Sequence, residues 1–312
     1  MRRGGYFSRA EAKDAGYSDR DIQAATETGV WVRLRHGYYA FAEYLTDLSP
    51  SQRHWLTARA VMHKLGKRYV AIGVSACAAH GIDTWGTGSD VVHVARLDGR
   101  SALRQAGVAF HDLPLDTERD VVQVDGVPVV RAVLAVWQAS CELSTEGALV
   151  CFNSGLNQGR VTEHELKATG ESFARWPGSR TARLALWMSD RRIETVGESR
   201  MLFLCREFRL PRPEPQYRVR NKRGTVIART DFAWLKHRHV GEFDGMVKYL
   251  RSLRPGEEPN QVIVREKRRE ELVREEDLGM SRVIWLDLES RNREATAQRL
   301  MDSLERSAKR YG

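Results

Sequence analysis

The chain has 312 residues, which is enough for two or three domains. Its 50 Lys and Arg against 41 Asp and Glu give a formal net charge of +9, which favours a polyanionic partner, most simply nucleic acid. The sequence lacks the run of about 20 apolar residues that crosses a membrane, and the polar stretch after its basic start predicts no signal peptide. Its four cysteines form no C-x-x-C pair, which argues against a zinc site or a disulfide framework and indicates the cytoplasm.

Residues 6 to 41 are predicted to form a winged helix-turn-helix. Two serines with an acidic residue three positions later have capping-box spacing and start helices, which glycines then end. These sets are Ser8 with Glu11 and Gly16, and Ser18 with Asp21 and Gly29. The aromatic and β-branched run from Trp31 to Phe41, broken by the turn Arg35-His36-Gly37, predicts a β-hairpin, the wing.

The second helix and the wing supply candidate DNA contacts, because a recognition helix meets base edges and a wing tip reaches phosphates or a minor groove. The candidate base readers are Arg20, Gln23 and Thr26, and the candidate wing contacts are Arg33, Arg35 and His36. The helix carries more acid than base, with Asp19 and Asp21 in its first turn, where Asp is also ordinary capping chemistry. A winged domain that binds protein instead of DNA therefore stays open as the alternative.

This segment resembles the amino-terminal domain of AbiEi-family antitoxins, which are DNA-binding repressors of type IV toxin–antitoxin operons. The matching residues are Phe7-Ser8-Arg9, Ala15-Gly16-Tyr17-Ser18, Gly29-Val30-Trp31, Arg33, Arg35, Gly37 and Tyr39. Ser75 to Gly81, Val91 to Val94 and Asp125 to Val129 resemble the central part of the same proteins. The resemblance implies DNA and a cognate toxin as partners, and a homodimer is a further candidate assembly.

Residues 48 to 190 predict an α/β region without a catalytic constellation. Helices are expected at 52–65, 75–80, 134–141 and 148–157, and strands at 69–74, 91–95, 107–111, 121–124 and 127–130. Asp125-Gly126 between the last two strands is a strong hairpin turn. Three histidines match no metal-ligand spacing, so structural or solvated roles are expected for His80, His93 and His111. A solvated loop is likewise expected for His237 and His239.

Four carboxylates near the carboxyl end are arranged as in a Mg²⁺-dependent nuclease. Glu198 heads the apolar stripe of a predicted helix, which is costly without a partner such as a hard cation. Asp231 lies near the end of a predicted strand. Glu242 and Asp244 alternate with Phe243 in the next strand, so the side-chain period of two puts both carboxylates on one face.

This pattern resembles the PD-(D/E)XK nuclease fold, in the DUF559-type branch related to very-short-patch repair endonucleases, over roughly the last third of the chain. The matching residues are Glu198, Pro215-Gln216, Asp231-Phe232-Ala233, Glu242 to Gly245, Lys248-Tyr249, Glu266-Lys267 and Arg269-Glu270. The resemblance implies that Asp231, Glu242 and Glu198 hold Mg²⁺ or Mn²⁺. The lysine of the general motif falls on Asp244, so a catalytic lysine would come from Lys248 or Lys267.

Together these patterns predict an α/β multidomain protein. Its parts are a winged helix-turn-helix at 1–47, an AbiEi-like middle domain at 48–190 and a PD-(D/E)XK-like mixed sheet flanked by helices at 191–312. In the last part, Arg218 and Arg220 are candidate DNA contacts beside the cleft. Two functions stay open: a metal-dependent DNA endonuclease, including a toxin or phage-defence nuclease, and an AbiEi-like antitoxin and repressor whose nuclease-like domain is inactive.

Overall fold

The α/β multidomain class expected from the sequence is confirmed. A computed structural model describes residues 4–87, 91–98, 105–245 and 268–312. The chain divides into two compact units, Met1–Met188 and Ser189–Gly312. The described ranges contain three β-sheets together with helices. Within these ranges, every helix is too short or too polar to span a bilayer.

The amino-terminal segment is winged-helix-like. Strand β1 (Phe7–Ser8) is followed by helices α1 (Arg9–Asp14) and α2 (Asp19–Glu27), and strands β2 (Trp31–Arg35) and β3 (Tyr38–Phe41) form the hairpin. Strand β3 lies between β1 and β2 in an antiparallel sheet. Trp31 and Tyr39 of the hairpin share one buried hydrophobic cluster with Ala12 of α1 and Ile22 of α2, so the hairpin packs against both helices, as the sequence predicts for a wing.

Capping explains where the two short helices begin. The Ser8 hydroxyl accepts from the Glu11 backbone N–H, and the Glu11 carboxylate accepts from the Ser8 backbone N–H at 2.8 Å. Ser18 and Asp21 form the same reciprocal pair. Both predicted capping boxes are therefore confirmed. Each gives a partner to two backbone N–H groups at the start of the helix, that of the serine and that of the acidic residue.

Residues 42 to 188 contain eight helices and five strands among the described residues. The helices are α3 (Ala42–Thr46), α4 (Pro50–Leu65), α5 (Gly73–Ala79), α6 (Thr117–Asp120), α7 (Ala132–Glu142), α8 (Thr145–Asn157), α9 (Glu163–Gly170) and α10 (Ser179–Met188). The strands are β4 (Tyr69–Ala71), β5 (Val92–Arg96), β6 (Val108–His111), β7 (Val121–Val124) and β8 (Val127–Val130). They form one mixed sheet in the order β6-β5-β4-β8-β7.

Two backbone turns decide the strand boundaries in this region. Asp125 and Gly126 have φ of 49° and 73°, so the predicted hairpin turn between β7 and β8 is confirmed. The predicted strand 69–74 is too long, because β4 ends at Ala71 and Gly73, at φ 51°, starts α5. A glycine adopts that left-handed conformation without the steric cost of a Cβ.

The carboxyl-terminal unit is built on a mixed four-stranded sheet. Its elements are α11 (Val196–Glu207), β9 (Glu214–Arg220), β10 (Val226–Trp234), the 3₁₀ turn Leu235–His237, β11 (His239–Asp244), helical residues 268–274, β12 (Gly279–Ile284), the 3₁₀ turn Trp285–Leu288 and the terminal helix Arg293–Tyr311. The strand order is β9-β10-β11-β12, with β9, β10 and β11 antiparallel and β12 parallel to β11. The predicted mixed sheet flanked by helices is therefore present.

Candidate functional site

A groove of about 450 Å³ separates α2 from the wing. Its lining residues are Arg9, Asp19, Ile22, Gln23, Thr26, Glu27, Arg33, His36, Gly37 and Tyr39. Four of the side chains that the sequence nominates for DNA contact line this groove, two from the helix (Gln23, Thr26) and two from the wing (Arg33, His36). The fold thus brings the two nominated segments to one concave surface.

Some of the groove side chains already form contacts within the protein. The Gln23 amide donates to Glu27 Oε1 at 2.8 Å, and the Thr26 hydroxyl donates to the Ile22 carbonyl at 2.8 Å. The exposed Arg33 guanidinium lies 6.0 Å from the centre of the Tyr39 ring, a cation–π distance. Arg33 therefore presents its charge at the groove surface, with the guanidinium over the Tyr39 ring of the wing.

The remaining two predicted DNA contacts do not line the groove. Arg20 is exposed on α2 outside this lining. Arg35 donates from Nη2 to the backbone carbonyl of Ala106 at 3.4 Å, and burial lowers the pKa of its guanidinium. Arg35 therefore points towards the middle region of the chain.

The acidic residues of α2 are held by neighbouring groups. Asp19 forms ion pairs with Arg9 at 2.8 Å and Lys13 at 3.1 Å, and hydrogen bonds from Lys13 and Arg9 lower its pKa. Asp21 is the capping partner of Ser18. The two acids thus have the structural roles that capping chemistry predicts, and α1 supplies positive charge beside Asp19.

A row of polar side chains crosses the sheet of the carboxyl-terminal unit. Phe232 lies opposite Gly241 on β11, and Thr230 and Phe232 lie opposite Tyr217 and Pro215 on β9. Asp231 is therefore placed between Gln216 and Glu242, and Glu242 lies opposite Arg282 on β12. Residues directly opposite one another share a face of a sheet. The row is Gln216, Asp231, Glu242 and Arg282.

Glu198 is deeply buried beside this row, with 1% of its surface exposed. Its Oε2 accepts from the Glu194 backbone N–H at 3.0 Å and from Gln216 Nε2 at 2.9 Å, and its Oε1 accepts from the Thr195 hydroxyl at 2.9 Å. These donors offset the cost of burying its charge. Gln216 connects Glu198 to the row, and its own Oε1 is buried and accepts no hydrogen bond from the described residues.

Glu242 and Asp231 are the two acidic residues of the row. The Asp231 carboxylate accepts from the Phe243 backbone N–H at 2.8 Å, which holds it against β11. Glu242 is 8% exposed and contacts Arg269 at 2.5 Å and Arg282 at 3.7 Å. Burial and the nearby Asp231 charge raise the pKa of Glu242, while Arg269 and Arg282 oppose that rise. Two arginines thus compensate a carboxylate pair at this position.

Of the remaining residues nominated for catalysis, only Asp244 lies within the described part of the chain. Asp244 ends β11 and is half-buried. Lys248 and Lys267 fall outside the described residues. The Arg269 guanidinium bonds both Glu242 and the Arg229 carbonyl, and Glu270 contacts Arg282 at 3.5 Å. The sequence identified Arg269 within a motif but gave no sign that it pairs with Glu242.

Exposed arginines border the row on β9 and β10. Arg218 lies opposite Arg229, which is two residues from Asp231 and so shares its face of the sheet. Arg229 is held by Glu194 through two hydrogen bonds of 2.8 and 3.0 Å. Arg218 and Arg220 are exposed, and Arg220 donates to the Gly224 carbonyl at 2.8 Å. Positive charge therefore lies on the edge strand, as the sequence suggests.

His239 departs from the expected solvated loop. It is 2% exposed at the start of β11, and its ring nitrogens lie 2.8 Å from the Ser307 hydroxyl and 2.9 Å from the Ser281 hydroxyl. Burial, with smaller effects from His237 and Arg306, lowers its pKa to about 4. The residue is therefore a neutral core histidine. The alternating pattern of β11 does not show from the sequence whether its first residue is buried or lies in an exposed turn.

This burial predicts a pH-dependent stability. Because the folded pKa lies below the unfolded value of about 6.5, the unfolded state binds more protons between pH 6.5 and 4, and the free energy of unfolding falls as pH drops through this window. The low pKa of His239 changes the free energy of unfolding by roughly 3 kcal/mol between the two ends of this pH window. Urea denaturation at pH 7 and pH 5 should show a smaller loss for His239→Gln than for the wild type. The exposed His164→Gln is the control, and equal losses in all three proteins would contradict the assignment.

Comparison with known proteins gives a match at the amino terminus. A family model described as "Transcriptional regulator, AbiEi antitoxin" matches residues 1–42. No curated protein matches the chain. Among solved structures, the crystal structure of the RV2827C protein from Mycobacterium tuberculosis is similar at 12% identity and a TM-score of 0.37, over 58% of this chain and 71% of that chain. The amino-terminal region of this chain is therefore similar to that of AbiEi-type antitoxin regulators.

Proposed function

We propose that this chain is a DNA-binding transcriptional regulator of the AbiEi type, which contacts its operator through the groove between α2 and the wing. The observation that carries the proposal is the convergence of Gln23 and Thr26 with Arg33 and His36 on that groove. Amide and hydroxyl groups on a recognition helix suit base edges, and a cationic wing suits phosphates. The family match covers the same segment.

Charge supports the same function. The chain has a formal net charge of +9, and the acidic Asp19 beside the groove is paired with Arg9 and Lys13. Both features reduce the repulsion that phosphates would meet at the groove. A cognate toxin is the further partner that the AbiEi likeness suggests. We propose the ranges 1–47, 48–190 and 191–312 as the functional domains of the chain.

The test is selection of duplexes from a random pool, followed by gel shifts in EDTA. A regulator is expected to enrich one short sequence and to bind it about 10³-fold more tightly than unrelated DNA, without divalent metal. Arg175→Ala removes an exposed arginine elsewhere in the same unit. It is the control, for general loss of charge, for any substitution of the groove residue Arg33. Weak binding that is equal for all sequences would contradict a regulator and leave non-specific association.

A second function is supported by a specific observation in the carboxyl-terminal unit. Asp231 and Glu242 are neighbours across β10 and β11. The buried Gln216 Oε1, which accepts no hydrogen bond from the described part of the chain, adds a carbonyl oxygen to the same row. These oxygen donors fit a hard divalent cation such as Mg²⁺ or Mn²⁺. We propose that Asp231 and Glu242 would hold it, with Glu198 fixing Gln216 and Asp244 at the rim. When bound, such an ion would activate water and neutralise charge on a phosphate.

In this nuclease the chain's own residues would position the nucleic acid. Arg218 and Arg220 on the edge strand suit contacts with phosphates that follow the row, and Arg269 would move from Glu242 to a phosphate when a cation takes its place. Lys248 or Lys267 would supply the positive charge of the general motif. The substrate would be DNA, as the AbiEi-like amino terminus suggests.

Nuclease activity would appear as cutting of supercoiled plasmid or single-stranded DNA in Mg²⁺ or Mn²⁺ and its loss in EDTA. Glu242→Gln preserves the size of the side chain and should abolish cutting while DNA binding by the groove persists. Glu305→Gln, on the exposed side of the terminal helix, should cut as the wild type does. A folded protein that binds its operator and cuts nothing with either metal would exclude the nuclease and leave the regulator.

A further inference from the structure

Two histidines and a glutamate meet at one edge of the middle sheet. Strands β5 and β6 are parallel neighbours in which His93 lies opposite Ala109 and Ala95 lies opposite His111. Because side chains alternate along a strand, His93 and His111 emerge on the same face, two positions apart. Their rings are nearly parallel, with 5.1 Å between centres, and His93 Nδ1 lies 3.1 Å from His111 Nε2.

The third group comes from a helix. Glu142 is the last residue of α7, and its carboxylate lies 3.3 Å from His93 Nδ1 and 3.6 Å from His111 Nδ1. A carboxylate at this position adds negative charge to the negative end of the helix dipole. That placement is unfavourable unless positive charge is close by, and a cation held by the same three side chains would supply it.

The spacing of these groups suits a transition-metal ion. Each residue offers one ligand atom, and these atoms lie within 4.8 Å of one another; among the residues that the structure describes, this is the one such set of three His, Cys, Asp or Glu. Tetrahedral Zn²⁺ with bonds of about 2.0–2.1 Å separates its ligand atoms by about 3.3 Å. The 3.1 and 3.3 Å distances around His93 Nδ1 are close to that value.

We propose that His93, His111 and Glu142 form a Zn²⁺ site, with a fourth position left for water or a further ligand. Imidazole and carboxylate are ordinary Zn²⁺ ligands, and three protein donors leave one position open. The site is independent of the groove and of the carboxylate row. The proposal differs from the expectation drawn from the sequence, in which the histidine spacing and the missing cysteine pairs argued against zinc.

The surroundings hold the first ligand in place. The His93 backbone N–H donates to the Ser75 hydroxyl at 2.9 Å, and His54 Nε2 contacts the same fully buried hydroxyl at 2.8 Å. A bound ion would connect the edge strand β6, through β5, to the end of α7, so metal binding should stabilise this unit.

The test uses the full chain, stripped of metal with EDTA and dialysed into chelator-free buffer. Isothermal titration with Zn²⁺ should show one equivalent bound, and Co²⁺ should give the intense visible absorption of a tetrahedral N/O site. His93→Gln, His111→Gln and Glu142→Gln should each lose the saturable site and its absorption, whereas the exposed His164→Gln should retain both. Zn²⁺ should raise the thermal midpoint of the wild type and of His164→Gln only.

Glu142→Gln keeps the inference falsifiable if a histidine variant fails to fold, because the Glu142 side chain is 42% exposed and Gln preserves its length. Circular dichroism confirms the fold of each variant before titration. A wild-type chain that takes up no Zn²⁺ overturns the proposal. A folded Glu142→Gln that binds Zn²⁺ with wild-type affinity and stoichiometry overturns it as well.

Discussion

Replacing Arg33 by Glu is expected to weaken DNA binding by about 10²-fold, and replacing it by Ala by about tenfold, at physiological salt. Arg33 is exposed at the α2–wing groove and rests on the Tyr39 ring, so its loss removes a phosphate contact without opening a core. The reversal costs more than the deletion because Glu also repels the phosphate. Affinities for the selected operator, measured by fluorescence anisotropy at several salt concentrations, give both numbers.

The salt dependence distinguishes this mechanism from a loss of folding. Deleting one phosphate contact should lower the slope of log affinity against log salt by about one, whereas a partly unfolded protein would show fewer competent molecules with the same slope. Arg175→Glu applies the same charge reversal at an exposed position of the same unit, away from the groove lining. Equal weakening by Arg33→Glu and Arg175→Glu would contradict a role for the groove.

Gln23 should behave differently from Arg33 in the same assay. Its amide donates to Glu27 at 2.8 Å and can turn to a base edge, so Gln23→Ala should relax the preference for one base pair by about 1–3 kcal/mol and leave the salt slope unchanged. Unaltered discrimination at every operator position in Gln23→Ala would show that this amide does not read DNA.

Local chemistry explains which features could be predicted from the sequence. The capping boxes at Ser8 and Ser18 and the Asp125-Gly126 turn depend on residues within a few positions of one another, so their spacing is enough. The meeting of Asp231 with Glu242 follows from strand alternation and hairpin register, which the sequence also encodes locally. The nuclease fold itself stays a prediction.

Contacts between distant segments could not be predicted in the same way. Glu142 reaches His93 only because α7 ends at the β5–β6 edge of the sheet, and Arg269 reaches Glu242 from 27 positions away. No spacing rule links such residues. The environment of His239 could not be predicted for the same reason. Its ring nitrogens contact serines from β12 and the terminal helix, 42 and 68 positions later.

Replacing Gly197 by Ala is expected to destabilise the carboxyl-terminal unit by about 1–3 kcal/mol or more, as overpacking does. Gly197 precedes Glu198 in α11, and a Cβ there would lie 1.9 Å from Phe243 Cε1, well inside contact distance. Phe243 is 3% exposed and packs edge-on against Trp285 at 4.9 Å, so it has little room to move. Alanine's better helix propensity, about 1 kcal/mol, offsets only part of this cost.

The substitution Gly197→Ala also tests how the row of polar side chains that contains Asp231 and Glu242 is assembled. Phe243 donates its backbone N–H to Asp231, so displacing its ring should disturb the position of Asp231 relative to Glu242. Urea unfolding followed by tryptophan fluorescence measures the loss, and Gly245→Ala, whose Cβ would lie an ordinary 3.5 Å from Phe243, is the control. Phe243→Leu combined with Gly197→Ala should recover part of the stability, giving a coupling energy above 0.5 kcal/mol in a double-mutant cycle. Additive effects would mean that the cost of Gly197→Ala does not arise from contact with the Phe243 ring.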